Sequence, residues 1–250
     1  MDARPPINGG RAFICLWFLF PNLAQTRYRS RRAQAGDADG RGHAGAAHTF
    51  RQRTALGQAR DEIAGEGVAC GGGVHGLGAE GPLAALYRLD KKETGYEAVK
   101  VIDKVGLSNG LAWNADRTKM YFVDTDFGTV AEYAYDPQTG EIGDGRVIIN
   151  VPSEMGFPDG MSIDENGKLW VALWNGGAIS QWDPETGELL QKIDLPVKNV
   201  SSCCFGGPDM DILFITTASQ DTDTAQYPLA GNVFCMKPGV KGEKSYRAAI

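Results

Sequence analysis

Asn109 and Asp159 stand 50 residues apart, in Leu107-Ser108-Asn109-Gly110-Leu111 and Phe157-Pro158-Asp159-Gly160-Met161. One offers a carbonyl oxygen and the other a carboxylate. Oxygen donors brought to one point suit a hard divalent cation such as Ca²⁺, Mg²⁺ or Mn²⁺. Taken singly, Asn-Gly and Pro-Asp-Gly are ordinary turn sequences. Their shared register is what raises them, because the hairpin tips of the same repeats fall at residues 114–117 and 164–168. A third repeat begins with Ser201-Ser202-Cys203-Cys204-Phe205. All three histidines, His43, His48 and His75, lie upstream of these repeats. A Ser-His-Asp triad or a His-based zinc site within the repeats would therefore need help from the first third of the chain.

The elements that must hold these residues are short β-rich runs. They fall at residues 85–89, 120–124, 131–135, 169–173, 178–182, 212–217 and 232–236, separated by Asp/Asn/Gly/Pro turns. The spacing predicts sequential antiparallel hairpins. Tyr135-Asp136-Pro137-Gln138-Thr139-Gly140-Glu141 matches Trp182-Asp183-Pro184-Glu185-Thr186-Gly187-Glu188 at an offset of 47, and Leu89-Asp90-Lys91-Lys92-Glu93-Thr94-Gly95 precedes the first by 46. Asp bonds the following backbone, Pro presets φ, and Gly takes positive φ. Repeats of about 40–50 residues with four strands each are the mark of β-propeller blades. The fold expected is all-β, with about three and a half blades between residues 83 and 250. The first strand of each blade lines the channel, so Asn109 and Asp159 converge on it. A β-sandwich is the rival, but sandwiches do not usually repeat a turn motif three times at a fixed offset.

Other residues carry less. Asp124-Thr125-Asp126 and Asp221-Thr222-Asp223 read as solvated turns. Trp113, Trp170, Trp174 and Trp182 read as packing between blades rather than a sugar platform. Cys203 and Cys204 are neighbours on a strand, so they point to opposite faces. They read as small buried apolar residues, not a disulfide. Five cysteines without framework spacing suit a reducing compartment.

Residues 1–82 are unlike the rest. Residues 1–83 hold ten Arg, no Lys and seven acidic residues, whereas residues 84–250 hold all the Lys and most of the acids. The net charge of −6 is thus a basic leader joined to an acidic remainder. An acidic chain argues against duplex nucleic acid as a partner. The apolar run at residues 13–20 is far too short for a membrane helix. It reads as a buried strand or short helix; the signal-peptide alternative is weakened by Pro21 and Asn22, which occupy the place of a small-residue cleavage motif. Arg27, Arg29, Arg31 and Arg32 form a basic cluster of the kind that is usually solvated. Asp37-Ala38-Asp39-Gly40 lacks the closing Glu of a calcium loop, and Gly71-Gly72-Gly73 lacks the Lys of a phosphate loop. Residues 54–63 could form a short amphipathic helix. Most of residues 26–80 is expected to be irregular or disordered. Two units are therefore expected, an irregular segment at 1–82 and a propeller part at 83–250.

The repeat motifs carry a family resemblance. Ser108-Asn109-Gly110-Leu111-Ala112-Trp113, Pro158-Asp159-Gly160-Met161-Ser162-Ile163-Asp164, Gly167-Lys168-Leu169-Trp170-Val171-Ala172 and Ser201-Ser202-Cys203-Cys204-Phe205-Gly206-Gly207 resemble the regucalcin and gluconolactonase family of six-bladed propellers. The likeness runs from about Leu83 to the C-terminus. It implies a cytosolic protein that binds one divalent metal in the channel and hydrolyses sugar lactones. The metal implied is Ca²⁺ first, with Zn²⁺, Mn²⁺ and Mg²⁺ also accepted. The metal-ligating Asn of the family falls on Asn109 and its Asp on Asp159, which would also help activate water as the catalytic base. The family's third ligand, a Glu near the N-terminus in a Gly-Glu-Ser/Gly-Pro-Xaa-Trp setting, has no counterpart here, nor has its Asn-Asp-Gly-Lys segment. Weak or absent lactonase activity is therefore expected, and residues 1–77 are expected not to be the family's natural N-terminal half. Two other functions stay open: a non-enzymatic calcium-binding regulator, and a protein-binding propeller. The lack of Gly-His pairs in the repeats argues against the last.

Overall fold

A computed structural model describes residues 11–14, 77–78, 81–82 and 84–243. The basic cluster at 27–32, the loops at 37–40 and 71–73, the candidate helix at 54–63 and all of the apolar run beyond Ile14 lie outside the described residues.

The described chain is built of antiparallel strands. A short strand β1 (Arg11–Ile14) pairs with β4 (Ala84–Lys91), which pairs with β5 (Tyr96–Val105). Between them in sequence, β2 (Leu77–Gly78) and β3 (Gly81–Pro82) form a minimal hairpin. The first full blade comprises β6 (Ser108–Trp113), β7 (Lys119–Asp124), β8 (Thr129–Tyr135) and β9 (Ile142–Asn150), hydrogen-bonded in chain order. The second comprises β10 (Phe157–Ile163), β11 (Leu169–Trp174), β12 (Ala178–Trp182) and β13 (Leu189–Asp194), again in chain order. A three-stranded sheet follows, made of β14 (Asn199–Gly206), β15 (Ile212–Ala218) and β16 (Val233–Met236). Among the described residues these sheets form an open series and not a closed ring.

The two four-stranded sheets are packed on both faces because alternate residues serve alternate neighbours. On β11, Leu169, Val171 and Leu173 pack toward Tyr121, Val123 and Val130 of the preceding blade. Trp170 and Ala172, on the opposite face, pack with Val200, Cys203, Leu213 and Ile215 of the following one. On β7, Met120 and Phe122 face Ala84, Leu86 and Val105 instead. No blade encloses a core of its own, so each depends on its neighbours.

The repeated turns superpose bond by bond. Gly140 N donates to Asp136 O at 2.7 Å, and Gly187 N to Asp183 O at 2.8 Å. The Asp136 carboxylate accepts from Gln138 N and the Asp183 carboxylate from Glu185 N. Both glycines have positive φ, 66° and 76°. The earliest copy differs: there Lys92 N donates to Gly95 O.

Two expectations need correction. Cys203 is buried but Cys204 is exposed, so the adjacent pair straddles the last sheet with only one member in the core. Asp124-Thr125 is no solvated turn. Asp124 accepts from Gly106 N at 2.8 Å and Leu107 N at 3.0 Å, and Thr125 is buried. Two of the four tryptophans are buried between blades: Trp170 is wholly buried with its ring edge-on to Phe205, and Trp182 is buried in the first inter-blade core.

Candidate functional site

The first strands of successive sheets, β6, β10 and β14, each carry a register shift. The shifts lie between Ser108 and Leu111, between Pro158 and Met161, and between Val200 and Ser202. Asn109 and Asp159 sit inside the first two, and Ser201 inside the third. A bulge removes a residue from the ladder and re-aims its side chain. That is how these side chains leave the pleat alternation of a blade that is otherwise packed on both faces.

Close approach of the strands brings the bulges together. A Cβ at Gly110 would lie 2.6 Å from Met161 Cβ and 2.8 Å from Asp159 O. A Cβ at Gly160 would lie 2.5 Å from Ser202 Cβ and 2.7 Å from its Cα. Only glycine permits this spacing. The glycine after each candidate residue thus sets how near the first strand of the next blade stands.

The two side chains are buried, Asn109 at 6% and Asp159 at 4% exposure, and they meet. The Asn109 side chain hydrogen-bonds the Asp159 carboxyl. Asn109 Nδ2 also donates to Thr125 Oγ1 at 3.1 Å, and Thr125 Oγ1 donates to Pro158 O at 2.7 Å. Asp159 Oδ1 is buried with no hydrogen-bond partner. Burial pushes the Asp159 carboxyl up to about 7, against the lowering effect of the Asn109 side chain and the Gly160 amide. A buried carboxylate oxygen left unsatisfied is costly and calls for a compensating charge or donor. An oxygen-preferring divalent cation fits that need, with Asn109 and Asp159 as part of its ligand set. The two fall short of a full shell, and no group of three or more His, Cys, Asp or Glu gathers among the described residues.

Sequence reasoning missed Thr125. The signal available was its place one residue after the end of a strand that pairs with β6. A cleft of about 300 Å³ between β5 and β8, lined by residues including Val105, Phe122 and Tyr133, contains neither Asn109 nor Asp159. Asp164 is the other buried carboxylate of the second blade. It accepts from Trp170 Nε1, Gln181 Nε2, Asn166 N and Lys168 N, which marks it as structural.

Antiparallel blades whose first strands carry paired bulges define an all-β propeller protein. Comparison with known proteins agrees on the fold. The model of the SMP-30/gluconolactonase/LRE-like region matches residues 37–219, and the chain belongs to that family. The match takes in residues upstream of Leu83. The chain is 42% identical to regucalcin of Gallus gallus over 155 residues, covering 60% of this chain and 52% of that one. With Homo sapiens regucalcin it shares 41% over 169 residues, 66% and 56% of the two chains. A provisionally named sugar lactone lactonase of Bacillus subtilis is 39% identical over 165 residues, 65% of this chain and 56% of that one. Among solved structures, a calcium-binding regucalcin from Agrobacterium tumefaciens matches with a TM-score of 0.61 at 26% identity, over 66% of this chain and 56% of that chain. A luciferin-regenerating enzyme matches with a TM-score of 0.59 at 33% identity, over 66% and 55%. The chain spans about half the length of the curated relatives it matches. No helix among the described residues is long and apolar enough to cross a membrane.

Proposed function

We propose that this chain is a divalent-cation-dependent hydrolase of sugar lactones, with Asn109 and Asp159 as cation ligands and Asp159 also as the base. The observation that carries the reading is the unsatisfied buried Oδ1 of Asp159 beside the Asn109 side chain, where two bulged strands meet. Family membership and a relative named for sugar-lactone hydrolysis support the substrate class. The cation proposed is Ca²⁺, with Zn²⁺, Mn²⁺ and Mg²⁺ as substitutes, and the compartment proposed is the cytoplasm.

A bound cation supplies Lewis acidity to the lactone carbonyl oxygen, where negative charge develops during hydrolysis. The protein's own groups do the rest. Asn109 lends a neutral carbonyl dipole fixed in place by its hydrogen bonds. Asp159, ionised, takes a proton from water as the water oxygen adds to the lactone carbonyl carbon. The ring C–O bond then breaks, and the ring oxygen leaves with that proton as a hydroxyl, giving the open hydroxy acid.

Two ligands on these blades are fewer than Ca²⁺ usually takes, so weak turnover by the 250-residue chain is part of the proposal. The test is gluconolactone hydrolysis followed by acid release, with cation added or chelated, in the unmodified chain and in Asp159→Ala. Hydrolysis that needs the cation and vanishes in the variant supports the proposal, while rates equal to buffer at every cation concentration would refute the enzymatic half. A second reading, a calcium-binding regulator without catalysis, is favoured by the incomplete ligand set. Calcium binding by calorimetry without hydrolysis would select it.

A further inference from the structure

We propose that Thr125 is the positioning residue of the cation site, a single buried hydroxyl that orients Asn109 and fixes it against the strand bearing Asp159. The inference rests on the proposed cation role of those two residues and deepens it. Thr125 lies just beyond β7 and is 8% exposed. Its main chain is anchored by Thr125 N donating to Leu107 O at 3.0 Å, on the segment that leads into β6.

The polarity follows from counting protons. A hydroxyl has one hydrogen to donate and two lone pairs. The carbonyl of Pro158 can only accept, so at 2.7 Å it must take the Thr125 proton. Toward Asn109, Thr125 Oγ1 can then only accept. The end of the Asn109 carboxamide that faces Thr125 must therefore be Nδ2, at 3.1 Å. The carboxamide oxygen is turned to the other side. This relay adds to the Asp159 contact in fixing the sense of the amide, because the reversed amide would set Oδ1 against the Thr125 lone pairs and turn Nδ2 to where a cation would be repelled.

The same hydroxyl spans two blades. Asn109 belongs to β6 of the first blade, whereas Pro158 immediately precedes Asp159 on β10 of the second. Both strands are bulged at these points, so the regular ladder does not hold either side chain in place. Residues that fix the orientation of metal ligands typically change affinity by about 10–100-fold when removed.

The test uses the full chain and four variants: Thr125→Val, Thr125→Ala, Thr125→Ser and Asn109→Ala. Ca²⁺ affinity is measured by calorimetry. The solvent-exchange rate of the Asn109 side-chain amide is measured by NMR without cation, its signals assigned by their loss in Asn109→Ala. Urea unfolding confirms that each variant is folded, and Thr125→Ala serves if Thr125→Val is not. The expected result is Ca²⁺ binding weakened about tenfold or more in Thr125→Val and Thr125→Ala. Thr125→Ser should restore it, and Thr125→Val should cost nothing further in the Asn109→Ala background. Amide exchange should quicken about tenfold in Thr125→Val, as loss of one hydrogen bond predicts, and stay slow in Thr125→Ser. Unchanged affinity in Thr125→Val, no rescue by Ser, or an equal loss in the Asn109→Ala background would overturn the role. If the unmodified chain binds no Ca²⁺, the cation reading fails. The exchange rates then decide the relay alone: quickened in Val and slow in Ser upholds it, unchanged in Val overturns it.

Discussion

Replacing Asp159 by asparagine should stabilise the cation-free protein, and only above a definite pH. The carboxyl is ionised with an ordinary value near 3.8 in the unfolded chain but is held up to about 7 in the folded one, chiefly by burial. Below 3.8 both states are protonated and the group is neutral in its effect. As pH rises from 3.8 to 7, the unfolded chain releases the proton while the folded chain retains it. Each pH unit in that window lowers folding stability by about 1.4 kcal/mol, or on the order of 4 kcal/mol in all. Above about 7 the loss is complete and constant. An asparagine side chain at this position has the same shape and no charge to bury, so Asp159→Asn escapes the loss. Urea unfolding with a chelator present should show the variant and parent within about 1 kcal/mol at about pH 4, and the variant ahead by a few kcal/mol at about pH 8. Adding Ca²⁺ at about pH 8 should close the gap by stabilising the parent alone, because a cation binds the ionised carboxylate. A gap of the same size at both pH values would mean that burial of this carboxylate costs nothing, contrary to its raised value in the folded chain.

Three further outcomes follow from the packing. Gly160→Ala should cost about 1–3 kcal/mol in urea unfolding, because its Cβ would fall 2.7 Å from Ser202 Cα, and it should weaken Ca²⁺ binding by spreading the first strands. Asp164→Ala should destabilise by about 3 kcal/mol or more, since it strands the Trp170 indole and the Gln181 amide in the interior and removes the acceptor of two turn amides, yet leave Ca²⁺ affinity of the folded fraction unchanged by calorimetry. Brief thiol labelling of the native protein, mapped by mass spectrometry, should modify the exposed Cys204 and Cys235 and spare Cys203, whose thiol is buried and pushed far up by burial.

The blades were legible where chemistry repeats. Asp136-Pro137 and Asp183-Pro184 with their glycines announce the same turn twice, and the structure closes both with the same bonds. The buried strands β7, β11, β12 and β15 were legible from their apolar, β-branched runs. The outer strands were not. On β13, Leu189–Asp194, nearly every side chain is exposed, so no alternation marks it. The same holds for β9, Ile142–Asn150, which has one buried residue. Asn109 and Asp159 stood out only by register, because Asn-Gly and Asp-Gly look alike in a turn and in a bulge. Thr125 was hidden among acidic neighbours that suggested solvent. Its burial comes from β10, a strand more than thirty positions away in sequence, which no local pattern can report.

Calorimetric titration of Ca²⁺ into the 250-residue chain at about pH 8, where Asp159 is ionised, beside Asn109→Ala and Asp159→Ala, decides whether these residues hold a cation. The proposed cation centre predicts one saturable site that weakens in the first variant and disappears in the second. No heat of binding in the unmodified chain, or the same isotherm in all three proteins, would contradict it.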